Sequence, residues 1–177
     1  GFSLVETQVV LEQLGRHLSP SPLLGSGVLA TQALLLADDP AAAERLLPDL
    51  AAGATTAALA WADAAGRWRH DGGDVTATDD GGWHLDGRAT LVLDGSRADV
   101  LLVLSRTPDG VGLFEVPPST AVVESTPALD QTLDLAAVSL ASTPATRIGG
   151  DLTPVLPRLQ AIGVTAVTAL QVGGAQQ

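Results

Sequence analysis

Five aspartates in the middle of the sequence are candidate calcium ligands, because clustered carboxylates can bind calcium. They are Asp71, Asp74, Asp79, Asp80 and Asp86. Their spacing lacks the alternating ligands, the central glycine and the closing glutamate of an EF-hand loop. Aspartate beside glycine is the usual composition of hairpin turns, as in residues 71–73 and 79–82. We therefore interpret these aspartates as turn residues and predict no metal site.

Two short glycine segments each resemble part of a functional motif. Residues 25–27 (GSG) resemble a nucleophile elbow but lack the preceding strand and the full Gly-x-Ser-x-Gly frame. We instead predict that Ser26 caps an apolar helix that ends at Ala37. Residues 110–112 (GVG) lack the dinucleotide-binding fingerprint, and we interpret them as part of a hairpin.

Three tryptophans, Trp61, Trp68 and Trp83, lie close together in the sequence. Indoles could stack on a flat ligand such as a flavin or a purine. They could equally anchor the core of a β-domain that contains no tyrosine and only two phenylalanines. Taken alone, the residues favour the core.

Composition excludes several classes of chemistry. The 177 residues carry a net charge of −11, and an acidic chain repels nucleic acid. There is no cysteine, which excludes disulfides and iron–sulfur clusters, and the three histidines are widely spaced. All nine basic residues are arginine, so no lysine can form a Schiff base or a P-loop. No acid–base pair, triad or metal motif is visible, and we predict no catalytic residue.

The periodicity of apolar residues divides the chain into residues 1–53, 54–150 and 151–177. The first part is predicted to be helical, with a capping box at Ser3 and Glu6 and a helix opening at Asp39-Pro40. The last part is predicted to be one apolar helix after Asp151. The middle part alternates short β runs with turns, which predicts an antiparallel barrel or sandwich. Its candidate strands are residues 55–62, 74–78, 83–85, 89–93, 100–105, 112–116, 121–124 and 132–139.

The fold class is therefore α+β, with N-terminal helices, a central antiparallel β-barrel or sandwich domain and a C-terminal helix of an incomplete bundle. No apolar run reaches the length of a membrane span, and the best candidate is residues 161–172. The start lacks the basic region of a signal peptide. We expect a soluble cytoplasmic protein. The apolar face of the last helix predicts an oligomer.

The order of several segments resembles the acyl-CoA dehydrogenase family from end to end. Residues 12–22 (EQLGRHLSPSP) resemble the family's E-E-L-G-R-x-L-x-P-x-P helix end, and residues 46–53 (LLPDLAAG) resemble its L-L-P-x-L-x-x-G. Residues 82–88 (GWHLDGR), followed by residues 98–103 (ADVLLV), resemble G-W-x-L-x-G-x-K…A-D-x-x-L-V. Residues 130–132 (DQT) resemble D-x-T-R, with Leu133 at the arginine, and residues 171–176 (QVGGAQ) resemble the opening helix of the C-terminal domain.

The resemblance implies N-terminal helices, a β-barrel-like domain and a C-terminal four-helix bundle. It also implies FAD, an acyl-CoA thioester and α,β-desaturation, in which a glutamate removes the α-proton and the flavin accepts the β-hydride. The family's catalytic glutamate and its R-x-Q-F-G segment lie past the point where this chain ends, so the chain supplies no catalytic base.

The resemblance also implies where the cofactor would lie. Residues 60–68 take the place of the family's T-E-P-x-x-G-S-D stretch, and residues 90–92 that of W-I-T. These positions give six cofactor-binding candidates, Trp61, Ala62, Asp63, Thr90, Leu91 and Val92, and one substrate-binding candidate, Trp68. Ala62 and Val92 cannot donate hydrogen bonds, so main-chain N–H groups would hold a flavin, with Trp61 or Trp68 stacked on it.

Three hypotheses follow. The chain belongs to an FAD-dependent acyl-CoA dehydrogenase, or to the degenerate subunit that supports a partner's active site, as in some actinobacterial enzymes of this family, or it is a bare β-rich binding module. The expected partners are an acyl-CoA substrate and another acyl-CoA dehydrogenase subunit in a homo- or hetero-oligomer. Nucleic acid and a membrane span are not expected.

Overall fold

The computed structural model describes residues 3–176. Three α-helices and a π-helix precede seven β-strands, and a long helix follows them. The helices are α1 (Leu4–Arg16), the π-helix (Leu23–Ala30), α2 (Thr31–Leu36), α3 (Pro40–Ala52) and α4 (Leu156–Ala175). The strands are β1 (Ala57–Ala60), β2 (Val75–Asp79), β3 (Trp83–Leu93), β4 (Val100–Thr107), β5 (Gly110–Val116), β6 (Val122–Thr126) and β7 (Leu135–Ile148). The predicted order of helices, strands and helix is confirmed.

Two of the predicted helix starts are confirmed. The Ser3 side chain accepts a hydrogen bond from Val5 N, and Ser3 N donates to the Glu6 carboxylate at 2.7 Å, which forms the capping box of α1. Asp39 caps α3 by accepting from Ala42 N at 3.0 Å, and Pro40 occupies the first helical position.

The predicted role of Ser26 is wrong, because Ser26 lies inside the π-helix, three residues after its start. Its buried hydroxyl oxygen accepts a hydrogen bond from Ala57 N at 3.0 Å. That bond ties the π-helix to the first residue of β1, so Ser26 joins the helical part of the chain to the sheet.

Five strands close a barrel in the order β4, β2, β3, β7 and β5, with β5 also paired to β4. β1 extends along β4, and β6 extends along β7. Most pairings are antiparallel, as predicted, whereas β1 runs parallel to β4 and β2 touches β4 in parallel at one residue pair.

One side of the sheet fills the barrel and the other side packs against the helices. Alternate residues of each strand supply the two sides, for example Leu101 and Val103 inside and Leu102 and Leu104 outside. The outer layer is completed by the π-helix, α2, α3 and the first turns of α4. The helices are therefore fixed against the outer face of β1 and β4.

α4 and α1 pack at backbone distance. A Cβ on Gly15 would lie 2.1 Å from Leu170 O, and one on Gly173 would lie 1.9 Å from Glu12 O. Glycine at both positions lets the helices touch. With the preceding turn, residues 153–175 are long and apolar enough to cross a membrane, contrary to the sequence-based expectation. Leu156, Leu159 and Ala166 are nevertheless buried, as in the packed helix of a globular fold.

Candidate functional site

An apolar cavity of about 460 Å³ lies between α1, α4 and the strand ends. Its walls are mainly leucines from these elements, including Leu11, Leu14, Leu93, Leu135 and Leu170. Serine, threonine and glutamine side chains also line it, namely Ser19, Ser21, Thr132 and Gln171. A volume of this size with few polar groups is typical of a small-molecule binding site.

The predicted substrate residue Trp68 lines this cavity, as do Ala62 and Leu91 from the predicted cofactor set. Leu91 is 43% exposed and adopts a positive φ of 50° in an irregular part of β3. The structure thus brings three of the seven candidate residues to one cavity. The other four, Trp61, Asp63, Thr90 and Val92, do not line it.

Asp63 organises the turn that follows β1. Its carboxylate is 2% exposed, and Oδ1 accepts hydrogen bonds from Ala65 N at 2.9 Å and Arg67 N at 3.0 Å. Oδ2 accepts from the Arg67 guanidinium at 2.9–3.0 Å. The amide of Arg67, followed by its guanidinium, lowers the pKa of the Asp63 carboxyl.

The main-chain amides of this turn all donate within the chain. Asp63 N donates to Arg67 O, and Gly66 N donates to Asp63 O. Ala64 N donates to Asp74 Oδ2 at 2.8 Å, and the two remaining amides, of residues 65 and 67, are bound by Asp63. The turn stabilises itself with the donors that could otherwise bind a ligand.

Thr90 lies beside Ala62, because the two residues form an antiparallel bridge. Thr90 N donates to Ala62 O at 3.0 Å, and the Thr90 hydroxyl donates to Asp63 O. The two segments that carry the cofactor candidates are therefore neighbours. The Thr90 hydroxyl, which could have bound a ligand, is instead hydrogen-bonded to the turn after β1.

Trp61 and Val92 have structural roles. The Trp61 side chain is 3% exposed, and its Nε1 donates to Arg69 O at 2.7 Å. Val92 is 1% exposed and belongs to the interior of the barrel. Neither side chain reaches the cavity.

The Trp68 indole stacks on Trp61 with ring centroids 5.3 Å apart and an angle of 3° between the planes. The His70 ring lies 6.3 Å from Trp61, and His70 Nε2 is 2.6 Å from Gln160 Oε1 on α4. The stack of these three rings spans the space between the turn and α4. Trp68 presents its outer surface to the cavity.

Asp94 is not among the residues that the sequence motifs mark. It is half-buried at the end of β3 with a positive φ of 60°, and Gly25 of the π-helix donates its amide to the carboxylate. A Cβ on Gly25 would lie 2.2 Å from Asp94 Oδ2, so glycine permits the approach. Burial, and then the charge of Asp134, raise the pKa of Asp94 to about 6. In the sequence, Asp94-Gly95 has the composition of an ordinary turn.

The residues at the cofactor positions do not fit a flavin. The donors of residues 63–67 and the Thr90 hydroxyl are engaged, Ala62 has no donor side chain, and Val92 faces the barrel core. Within residues 3–176 there is also no group of histidine and acidic side chains that could hold a metal ion. The geometry offers apolar binding, with no side chain placed for acid–base chemistry at the cavity apart from Asp130, which lines it.

No protein-family model and no curated protein matches the sequence. Solved structures match over nearly all of it. The ChsE4-ChsE5 complex from Mycobacterium tuberculosis matches 98% of this chain with a TM-score of 0.85 and 28% identity. A variant of the Tcur3481-Tcur3483 steroid ACAD matches 97% with a TM-score of 0.81 and 29% identity. Butyryl-CoA dehydrogenase from Megasphaera elsdenii matches 98% with a TM-score of 0.83 and 17% identity, which shows the fold alone.

The chain spans about half the length of these structures, since the matches cover 47%, 46% and 50% of their chains. Since the matches cover 97–98% of this chain, they extend over the N-terminal helices, the barrel and α4. This agreement extends along the same stretches that carry the sequence motifs. By its fold and by the order of its motifs, the chain is similar to the acyl-CoA dehydrogenases.

Proposed function

We propose that this chain forms part of a non-catalytic subunit in a heteromeric acyl-CoA dehydrogenase. In this proposal it holds the acyl group of an acyl-CoA thioester in the cavity between α1 and α4. A partner chain carries the flavin and performs the α,β-desaturation. The proposal rests on one observation, the engagement of the donors at the flavin-facing positions within the chain itself.

The engaged donors weigh against a tightly held flavin. A flavin ring bound there would have to break hydrogen bonds of the Asp63 turn. The amides would then donate to the flavin, and each buried acceptor left unpaired, such as the Asp63 carboxylate, costs about 1–3 kcal/mol. Because this free-energy cost would arise at several hydrogen bonds, a flavin would bind weakly, and the chain on its own is expected to lack FAD.

The cavity supports acyl binding. Its walls are leucine, valine and tryptophan, and its polar side chains come from the segment after α1, the segment before β7 and the C-terminal half of α4. An acyl chain in the apolar part would exclude water, and a thioester headgroup could meet the polar part. The contribution of the chain's own residues is binding, orientation and desolvation.

Two observations support assembly with another chain. The two matches of highest identity among those described above are, by name, two-component complexes. An apolar stripe on α1 and α4 is exposed in the described chain, with Val5, Val9, Val164 and Val172 each 45–67% exposed. Exposed apolar surface of this extent is typical of an interface.

A cytoplasmic location stays a prediction.

A catalytic, FAD-dependent dehydrogenase is the second candidate. It is favoured by the adjacency of Ala62 and Thr90 and by the position of Leu91 at the cavity, which keep the two family positions side by side. In that case each chain of the full-length protein would hold one flavin.

Native mass spectrometry of the full-length protein, purified from its source with its partners, distinguishes these candidates. The proposal expects an assembly of two kinds of chain in which bound FAD equals the number of partner chains. One FAD for every copy of this chain, in an assembly of identical chains, would contradict it and support the second candidate.

A further inference from the structure

Trp68 lies at one end of the cavity. The wall formed by α4 runs through Val167, Leu170, Gln171 and Gly174, while Trp68 rests on Gly163, one turn before Val167. Because an α-helix rises about 1.5 Å per residue, Gly163 and Gly174 are about 16 Å apart along the axis. Along α4, the residues that line the cavity therefore all lie on the C-terminal side of the point where Trp68 packs.

The absence of a side chain at Gly163 lets the Trp68 indole pack directly against α4. A Cβ at this position would lie 2.8–2.9 Å from two atoms of the Trp68 six-membered ring and 2.9 Å from a methyl carbon of Leu29. Any larger residue must displace one of these groups. Leu29 is buried in the core, and Trp61 covers one face of the indole. A group that displaces Trp68 would therefore push it toward the cavity.

Three contacts fix the position of Trp68, two at the indole and one at the backbone. Trp61 stacks on it in parallel, Gly163 receives its edge, and Trp68 itself bridges Ala62 through the backbone. Trp61 is fixed in turn by its bond to Arg69 O. A wall built in this way is rigid, and a rigid wall limits the length of a ligand.

We infer that Trp68, seated on Gly163, sets the maximum length of the apolar chain that the cavity accepts. This inference rests on the proposed acyl-binding function. Trp68 is thus a specificity-determining residue. Substitutions of Trp68 and of Gly163 should change the accepted chain length in opposite directions. A smaller residue at position 68 lengthens the accepted chain, and a larger residue at position 163 shortens it.

The test uses two series of probes and the full-length protein in its native assembly. The first series is straight-chain primary alcohols of increasing length, which measure the cavity without a CoA group. The second is saturated acyl-CoA thioesters of the same lengths. Isothermal titration calorimetry gives the affinity for each, and burial of each methylene should strengthen binding about fourfold until the chain meets the wall.

For the alcohols, we expect the length at which affinity stops rising to increase in Trp68→Leu and to decrease in Gly163→Ala. Trp68→Phe should shift it less than Trp68→Leu. Trp83→Phe is the matched control, because Trp83 lies against Phe114 and Arg147 of the barrel and does not line the cavity. Thermal unfolding of each variant identifies any that fail to fold.

An unchanged length limit for the alcohols in folded Trp68→Leu and Gly163→Ala would overturn the inference, as would a failure of every alcohol to bind. Shifts with the alcohols but no binding of any acyl-CoA would leave Trp68 as the length-setting wall and refute the proposed function. Shifts with both series support both.

Discussion

Replacing Asp63 should destabilise the protein more than its surface ion pair alone can explain. The buried carboxylate accepts hydrogen bonds from the amides of Ala65 and Arg67, and from the Arg67 guanidinium. Asp63→Ala leaves two amides of the turn without partners, at about 1–3 kcal/mol each. We expect a loss of about 2–6 kcal/mol in the free energy of unfolding. Arg67→Ala removes the guanidinium, whose side chain is 65% exposed, and should cost under about 1 kcal/mol.

Urea unfolding of the full-length protein measures both values, with Asp63→Asn as an intermediate that keeps one acceptor oxygen. Because the folded pKa of Asp63 is lowered, its stabilisation is present above the ordinary carboxyl pKa and is lost as the pH falls through the folded value. The difference between wild type and Asp63→Asn should therefore shrink only in strong acid. Equal losses for Asp63→Ala and Arg67→Ala would refute the role given to the amides.

Two further predictions concern the helices. Gly15→Ala places a Cβ 2.1 Å from Leu170 O and should lower the free energy of unfolding by about 1–3 kcal/mol in urea titrations. Gly174→Ala is the control, because its Cβ would have its nearest neighbour at 3.9 Å and should change the free energy little. Equal effects of the two substitutions would contradict the close packing of α1 and α4. Asp94 has a raised folded pKa of about 6, so stability should fall as the pH rises from about 4 to 6. Since Asp94 is half-exposed, solvent screening limits this fall to about 1 kcal/mol, and Asp94→Asn should abolish it in urea midpoints measured across that range. A fall of the same size in the variant would assign it to another group.

Local sequence patterns predicted the fold well at positions where one residue type determines whether a helix begins or ends. Asp39 followed by Pro40 has few alternatives to a helix start, and the loss of helical spacing after Gly53 coincides with the first strand. Strand boundaries were less predictable. Residues 83–85 and 89–93 were expected as two strands, and the structure joins them into β3. Gly87 explains the difference, because its φ of 135° belongs to a register shift and a Cβ there would lie 2.1 Å from Asp74 O.

The candidate site could be predicted only in part. The family motifs pointed to Ala62, Leu91 and Trp68, which do meet at the cavity. They could not show that the hydroxyl of Thr90 is engaged by Asp63 O, or that Val92 faces the barrel. The cavity itself arises from α1 and α4, which are distant in sequence and meet through two glycines. No periodicity within either helix encodes that contact.

An experimental structure of the full-length protein in its native assembly, soaked with a saturated acyl-CoA and FAD, would show whether this chain holds the acyl group without holding a flavin. We expect density for the acyl chain along α4, ending at the Trp68 indole, and no isoalloxazine ring against Ala62, Thr90 and Leu91 of this chain. A flavin ring at those residues, with the amides of the Asp63 turn bonded to it, would show instead that this chain is a flavin-binding subunit.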